Sequence, residues 1–450
     1  MRLDELLNRA DDSLAETAEL LSELIRIPTI NAGPDGPGSE SALCRHLAAK
    51  LARDGVEGQI LESMPERGNL VARLGSGRGP RLLYMSHTDV VPVEDARDWR
   101  YGPFEGKVAD GCVWGRGAAD CKSLVAAEAM ALLVLARSGV PLSGELIYAA
   151  AADEETGGKH GFGYLVRERP ELVRADYAVN EGGGALFSLG KRSGYIINTG
   201  EKGRLEAEMR IRGRGGHAAA PWEADSPIER LGDVLGRLRL IKPMPDLSHP
   251  IYEATREVLR SDAGRILRKD YDKAGRGERG LISALRGAAY MTLTPTMVSG
   301  GVKSNAIPPS CTLTCDVRTL PGQDRAHVER ELAAALTGIG GVEIVLVETA
   351  EPSASPYPTP FSEALQRATA RAVGREDLLW LPGLTAGFTD SRFVRRLGAT
   401  VYGFAPRSLN PETGCPEGVH GRDERMPIES LHVLLRTLVS LAWGALGPGT

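Results

Sequence analysis

Apolar residues recur at helical spacing through the first 26 positions. Leu6, Leu14, Ala18, Leu21 and Ile25 share one face of an amphipathic helix, and Pro28 stops it. The Gly- and Pro-rich stretch 31–38 reads as a loop, and Leu43, Leu47 and Leu51 predict a helix over about 40–53. Two short strands, near Gly58–Glu62 and Asn69–Leu74, precede the strongly apolar run Leu82–Met85. Gly144–Ala152 is apolar throughout, and Tyr177–Asn180 is a shorter run of the same kind. Runs without polar alternation are buried on both faces of a sheet. A long Ala/Leu helix is expected from just after Asp120 to about Arg137, between the first two of these runs. Strands alternating with helices predict an α/β fold with a mostly parallel sheet flanked by helices.

Near residue 200 the period changes. Leu205, Ala207, Met209 and Ile211 alternate with polar residues, which marks a strand with one wet face. A helix follows near Ser226–Leu240, then a charged helical stretch over about 245–287. Strands at Thr292–Ser299 and Cys311–Val317, a helix over about 324–336 and a strand at Val342–Val347 complete the unit. That order predicts a separate α+β domain inserted into the first. The expected division is 1–202 and 351–450 for the first domain, with 203–350 as the insert. Beyond Pro356 the pattern is α/β again, with a helix over 361–372, a strand near Thr400–Phe404 and a closing helix over 428–445.

Composition narrows the function classes. With 450 residues, 42% hydrophobic and 25% charged, the chain has the make-up of an ordinary globular protein of more than one domain. A net charge of -5 with interspersed signs predicts no nucleic-acid partner. No apolar run reaches the roughly 18 residues of a membrane span, and Met1–Glu5 lacks the apolar core of a signal peptide. Six cysteines without a CxxC pair argue for a reducing compartment, so the expected location is cytoplasmic and no disulfide framework is expected.

The chemistry sits at predicted strand ends. His87 and Asp89 follow the run Leu82–Met85, and positions i and i+2 of a strand point to the same face. A carboxylate beside a histidine is how proteins orient an imidazole toward a metal. Asp120 in Gly115–Lys122, the pair Glu154-Glu155, Glu181 and His420 occupy comparable places. Singly, each has an ordinary explanation: an Asp between glycine turns forms turns, and an Asp-Glu-Glu run opens a solvated helix. Jointly they converge on one sheet edge, where open α/β sheets bind ligands. Two histidines, three carboxylates and a spare glutamate suit two zinc ions sharing one bridging carboxylate.

The segments Ser86–Pro92, Gly115–Lys122, Asp153–Glu155 with Gly157-Gly158, Gly215–Ala218 and His420–Glu424 together resemble the M20 family of metallopeptidases and amidohydrolases, in the family's order and over nearly the whole chain. The resemblance implies a cofactor of two Zn2+, with Co2+ or Mn2+ as possible substitutes. It implies that His87 and Glu181 hold one ion, Glu155 and His420 the other, and that Asp120 bridges them. It makes Glu154 the general base, Asp89 the brace of His87, and the Asp120-Cys121 bond cis. It makes 203–350 a lid that mediates homodimerisation, and His217 a stabiliser of the oxyanion, supplied across the dimer. Asn305 and Arg318 would bind the substrate's carboxylate or carbonyl, and Gly387 and Thr389 would line its pocket. The implied substrates are small peptides or N-acyl amino acids, cleaved at amide bonds near a free carboxylate. A dipeptidase or carboxypeptidase is the expected type, an N-acyl-amino-acid deacylase the alternative, and a non-catalytic metal-binding relative the third. The long stretch after Leu240 is closest to the carboxypeptidase S-like branch.

Overall fold

The computed structural model describes residues 2–448 except 34, 35, 76, 190, 191, 261, 274, 275, 411 and 412. Its larger sheet has ten strands. Glu145–Ala151, Arg81–His87, Tyr177–Asn180 and Thr400–Gly403 lie side by side in that order and pair in parallel. Antiparallel strands, Gly58–Glu62 and Gly68–Gly75, extend one side. On the other side stands the long strand Arg192–Glu201, which takes Leu379–Thr385 in parallel and Leu186–Leu189 antiparallel. The fold is therefore α/β, parallel at its centre and flanked by helices.

Alternation along the central strands divides the core. Leu82 and Tyr84, with Leu146, Tyr148 and Ala150, face the helices Lys122–Ser138 and Ile428–Leu446. Leu83 and Met85, with Ile147, Ala149 and Ala151, face Phe162, Leu165 and Val394 on the opposite side. Both faces are covered, which is why these runs carry no polar alternation. Leu435, on Ile428–Leu446, is fully buried in the first of these layers. Leu435→Ala should lower stability by about 2–5 kcal/mol through the cavity it leaves, read as a lower denaturant midpoint. An unchanged midpoint would mean that this helix does not carry the core.

The opening helix is split in two, Leu3–Asp12 and Leu14–Ile25, at Ser13. Among the strands that escape a reading by pattern are two of the larger sheet. Arg192–Glu201 begins with Arg and Ser and mixes buried with half-buried positions. Leu379–Thr385 contains Pro382 and Gly383, which argue against a strand interior. It is tolerated because this strand pairs on one side only, with Arg192–Glu201, so the amide that Pro382 lacks is not required.

Strands from residues 203–350 build a second, four-stranded antiparallel sheet, in the order Thr292–Gly300, Ser310–Thr319, Gly203–Arg212 and Val342–Ala350. Its own core holds Leu205, Ala207, Met209 and Ile211, the residues of the alternating pattern. The charged stretch between Gly203–Arg212 and Thr292–Gly300 forms the helices Ile251–Leu259, Ala263–Leu267 and Arg276–Ala289, which pack beside Leu384 of the larger sheet. The two crossings between the sheets are tied by Glu201. Its buried carboxylate accepts from Ser353 Oγ at 3.0 Å, from Arg395 Nη1 at 2.5 Å and from the amide of Thr389. No described helix is long and apolar enough to cross a membrane.

Candidate metal centre

Five segments meet at the carboxyl end of the central strands. His87 is the last residue of Arg81–His87. Glu154 and Glu155 open a short helical turn just past Glu145–Ala151, and Glu181 follows Tyr177–Asn180. Asp120 precedes the helix Lys122–Ser138 across a cis Asp120-Cys121 bond. His420 lies in the loop before Arg425–Pro427 with φ 56°, the left-handed region that non-glycine residues rarely adopt.

Asp120 stands between the histidines. Its Oδ1 is 3.1 Å from His87 Nε2 and its Oδ2 is 3.1 Å from His420 Nε2. Glu181 Oε1 lies 3.7 Å from His87 Nε2, and Glu155 Oε2 lies 3.2 Å from His420 Nε2. Ligands about 2.0–2.2 Å from a tetrahedral ion are separated by roughly 3.3 Å, so both groups have the spacing of a coordination shell. Two clusters result, His87–Asp120–Glu181 and Asp120–Glu155–His420, and they share one carboxylate. Cys121 also comes within reach of the first cluster, but its thiol accepts from His87 N and donates to His87 O, both at 3.3 Å.

The electrostatics fit cations in this place. Burial pushes Glu155 up to about 7 and Glu181 above the usual carboxylate range. Burial, and then the charge of Glu181, raises Glu154 well above it. His420, hydrogen-bonded to Asp120, is pushed up to about 9. Among the described residues, buried Glu155 Oε1 has no hydrogen-bond partner. Four carboxylates crowded around two imidazoles, one with an orphaned buried oxygen, form a donor set that two dications would satisfy.

Asp89 does more than brace the imidazole. His87 Nδ1 lies 3.0 Å from the Asp89 backbone oxygen and 3.5 Å from its carboxylate Oδ1, so the carbonyl is the nearer orienting group. The Asp89 carboxylate instead accepts from the amides of Glu154 and Glu155, both at 3.1 Å, and from Asn31 Nδ2 at 2.8 Å. One buried residue thereby sets both, His87 through its carbonyl and the glutamate turn through its carboxylate. Asn31 carried no signal in the sequence, because a loop asparagine is common. Arg392, at the end of the expected pocket segment 387–392, donates to Gly157 O at 2.6 Å and Thr389 O at 2.8 Å, joining that turn to the loop 386–390.

The remaining expected residues are not members of the two clusters. His217 is exposed in the two-residue strand Gly216–His217, paired with Ala306-Ile307, and its Nδ1 accepts from Ala219 N. Asn305 is exposed, and its carbonyl accepts from Ala218 N. Arg318 is half-buried and paired with Asp316 at 2.7 Å. Among the described residues, none of the three forms a hydrogen bond or ion pair with the clusters. Gly387 is half-buried, whereas Thr389 is buried with its hydroxyl donating to Ser391 Oγ at 2.9 Å.

A family model described as peptidase family M20/M25/M40 matches residues 83–443. Succinyl-diaminopimelate desuccinylase of Caulobacter sp. (strain K31) is 28% identical over 425 residues, 93% of either chain. Among solved structures, the M20 family metallo-carboxypeptidase Sso-CP2 from Sulfolobus solfataricus superposes with a TM-score of 0.73 at 18% identity, over 95% of this chain and 98% of that one. Human carnosine dipeptidase 1 gives 0.68 at 18% identity, over 98% and 99%. These two share the fold, and the family match spans every candidate ligand. The chain belongs to peptidase family M20/M25/M40 and is an amide-bond hydrolase.

Proposed function

We propose that the protein hydrolyses an amide bond close to a free carboxylate in small substrates, as a dipeptidase or carboxypeptidase. The observation that carries this reading is the Asp120 carboxylate with one oxygen on each histidine. His87, Glu181 and Asp120 would hold one metal ion and Glu155, His420 and Asp120 a second, with zinc the expected pair. When bound, such a pair supplies positive charge that polarises the scissile carbonyl and acidifies a water.

This chain's own residues would do the rest. Glu154 takes a proton from the attacking water as its oxygen bonds to the carbonyl carbon, then returns that proton to the leaving nitrogen as the C–N bond breaks. Asp89 holds the Glu154 amide, so the base is fixed relative to His87. Residues 203–350 serve as a lid with boundaries near 202/203 and 350/351, and through this lid the chain forms a homodimer. Lid closure brings His217 to the developing oxyanion, from this chain or its dimer partner. Arg318 and Asn305 bind the substrate's carboxylate or carbonyl, a guanidinium fork being suited to a carboxylate, and the loop holding Gly387 and Thr389 lines the pocket.

A second reading has its own support. The desuccinylase related over 93% of the chain removes, by its name, a succinyl group, which is an acyl group. An N-acyl-amino-acid deacylase would use the same base and ligands. A panel of dipeptides, N-acetyl and N-succinyl amino acids, assayed after chelation and zinc or cobalt restoration, decides between them. Dipeptide turnover at least tenfold above the acyl substrates is the expected result. A preference for N-acyl substrates selects the second reading, and activity that survives chelation would sink both.

A further inference from the structure

The two halves of the candidate centre come from distant parts of the chain, and one buried side chain joins them. Glu424 is fully buried, four positions after His420. Its Oε1 accepts from the amides of Ala119 at 2.9 Å and Asp120 at 3.0 Å. Its Oε2 accepts from Gly117 N at 3.0 Å and Arg116 Nη1 at 2.6 Å. Ala119 and Glu424 are 305 residues apart in sequence. Arg116 closes the loop from the other side: its Nη2 donates to Gly421 O at 2.9 Å, while its guanidinium lies under Trp99 at 5.2 Å. The amide of Gly115 donates to Glu424 O at 2.8 Å.

The surroundings give this latch a task. Residues 419–422 are exposed, His420 retains 54% of its side-chain exposure, and its backbone sits in the left-handed region. Packing therefore does not place that imidazole; the first buried anchor after it is Glu424. Three backbone donors, the amides of Gly117, Ala119 and Asp120, converge on the same carboxylate, which sets the turn that points Asp120 between the histidines. A carboxylate accepting four hydrogen bonds in a buried site is both well satisfied and geometrically demanding.

We propose that Glu424 is a positioning residue of the metal centre, holding Asp120 and His420 in register so that the two ions are bound by one preset frame. This rests on the dinuclear reading above. In Glu424→Gln an amide group replaces one acceptor and turns its hydrogens toward backbone donors. Glu424→Asp keeps the charge but withdraws it by one methylene.

The test is calorimetric titration of the chelated full chain with Zn2+, combined with hydrogen exchange of the metal-free protein. Wild type should take two ions per chain, and failure there would count against the dinuclear reading rather than this one. Glu424→Gln should weaken binding of both ions by about 10–100-fold, the size found when groups supporting metal ligands are changed. Exchange should rise at Gly117, Ala119 and Asp120 while Leu83 and Ile147 stay protected. Two ions bound with wild-type affinity by a folded Glu424→Gln overturn the proposal. If that variant loses core protection, Glu424→Asp decides: weaker binding with an intact core supports the role. Wild-type affinity there, or loss of core protection in both variants, refutes it.

Discussion

Glu154→Ala keeps two metal ions per chain and loses about a hundred- to ten-thousand-fold in kcat, the range that general acid–base catalysis contributes. The expectation follows from placement. Glu154 is buried beside the clusters, yet neither cluster includes it, so its removal costs no ligand. Its backbone stays anchored by the hydrogen bond to Asp89, and the preceding Asp153 holds φ 72° in a turn closed by Gly157 and Gly158. The side chain alone is lost, and with it the group that carries the proton from water to nitrogen. Metal content by elemental analysis and steady-state rates on the best substrate are the two measurements. Full activity with both ions bound would remove Glu154 from the base's role, and loss of an ion would make it a ligand.

Asp120→Ala has the other large effect, and it differs in kind. One carboxylate serves both clusters, so its truncation should weaken both ions by more than about 100-fold, beyond the usual effect of groups that merely support ligands. Metal content should fall below one ion per chain, with activity lost in parallel. Glu155→Ala or His87→Ala should each compromise one ion and leave the other's remaining ligands in place. Equilibrium dialysis against zinc at several concentrations separates these patterns. If Asp120→Ala retains one tightly bound ion, the carboxylate does not bridge.

The central strands were legible because their composition has one physical cause. A strand covered on both faces cannot carry polar alternation, so Leu82–Met85 and Gly144–Ala152 announced a buried parallel sheet. The alternating face of Leu205–Ile211 likewise announced a one-sided sheet. Leu379–Thr385 was not legible, since Pro382 is permitted only by its place at a singly paired edge, and an edge is a property of the assembled sheet.

The candidate ligands were legible for a related reason. Polar residues that end apolar strands must sit at a sheet edge, so His87, Glu154, Glu155 and Glu181 could be assigned to one side of the molecule from order alone. Which oxygen faces which histidine was not, because that depends on side-chain directions fixed across hundreds of residues. The same holds for Asp89, which the sequence pairs with His87. In the fold its carboxylate holds the glutamate turn, while its carbonyl meets the imidazole.

The sequence by itself determined the strand-and-helix order, the buried faces and the inventory of donors, since each follows from local period and residue chemistry. Tertiary structure alone decided that Asp120 divides its oxygens between two histidines and that Glu424 ties residues 117–120 to the loop of His420. Those relations join segments too far apart in the chain for any local pattern to encode. They exist only where packing of the sheet edge brings the segments within hydrogen-bond distance.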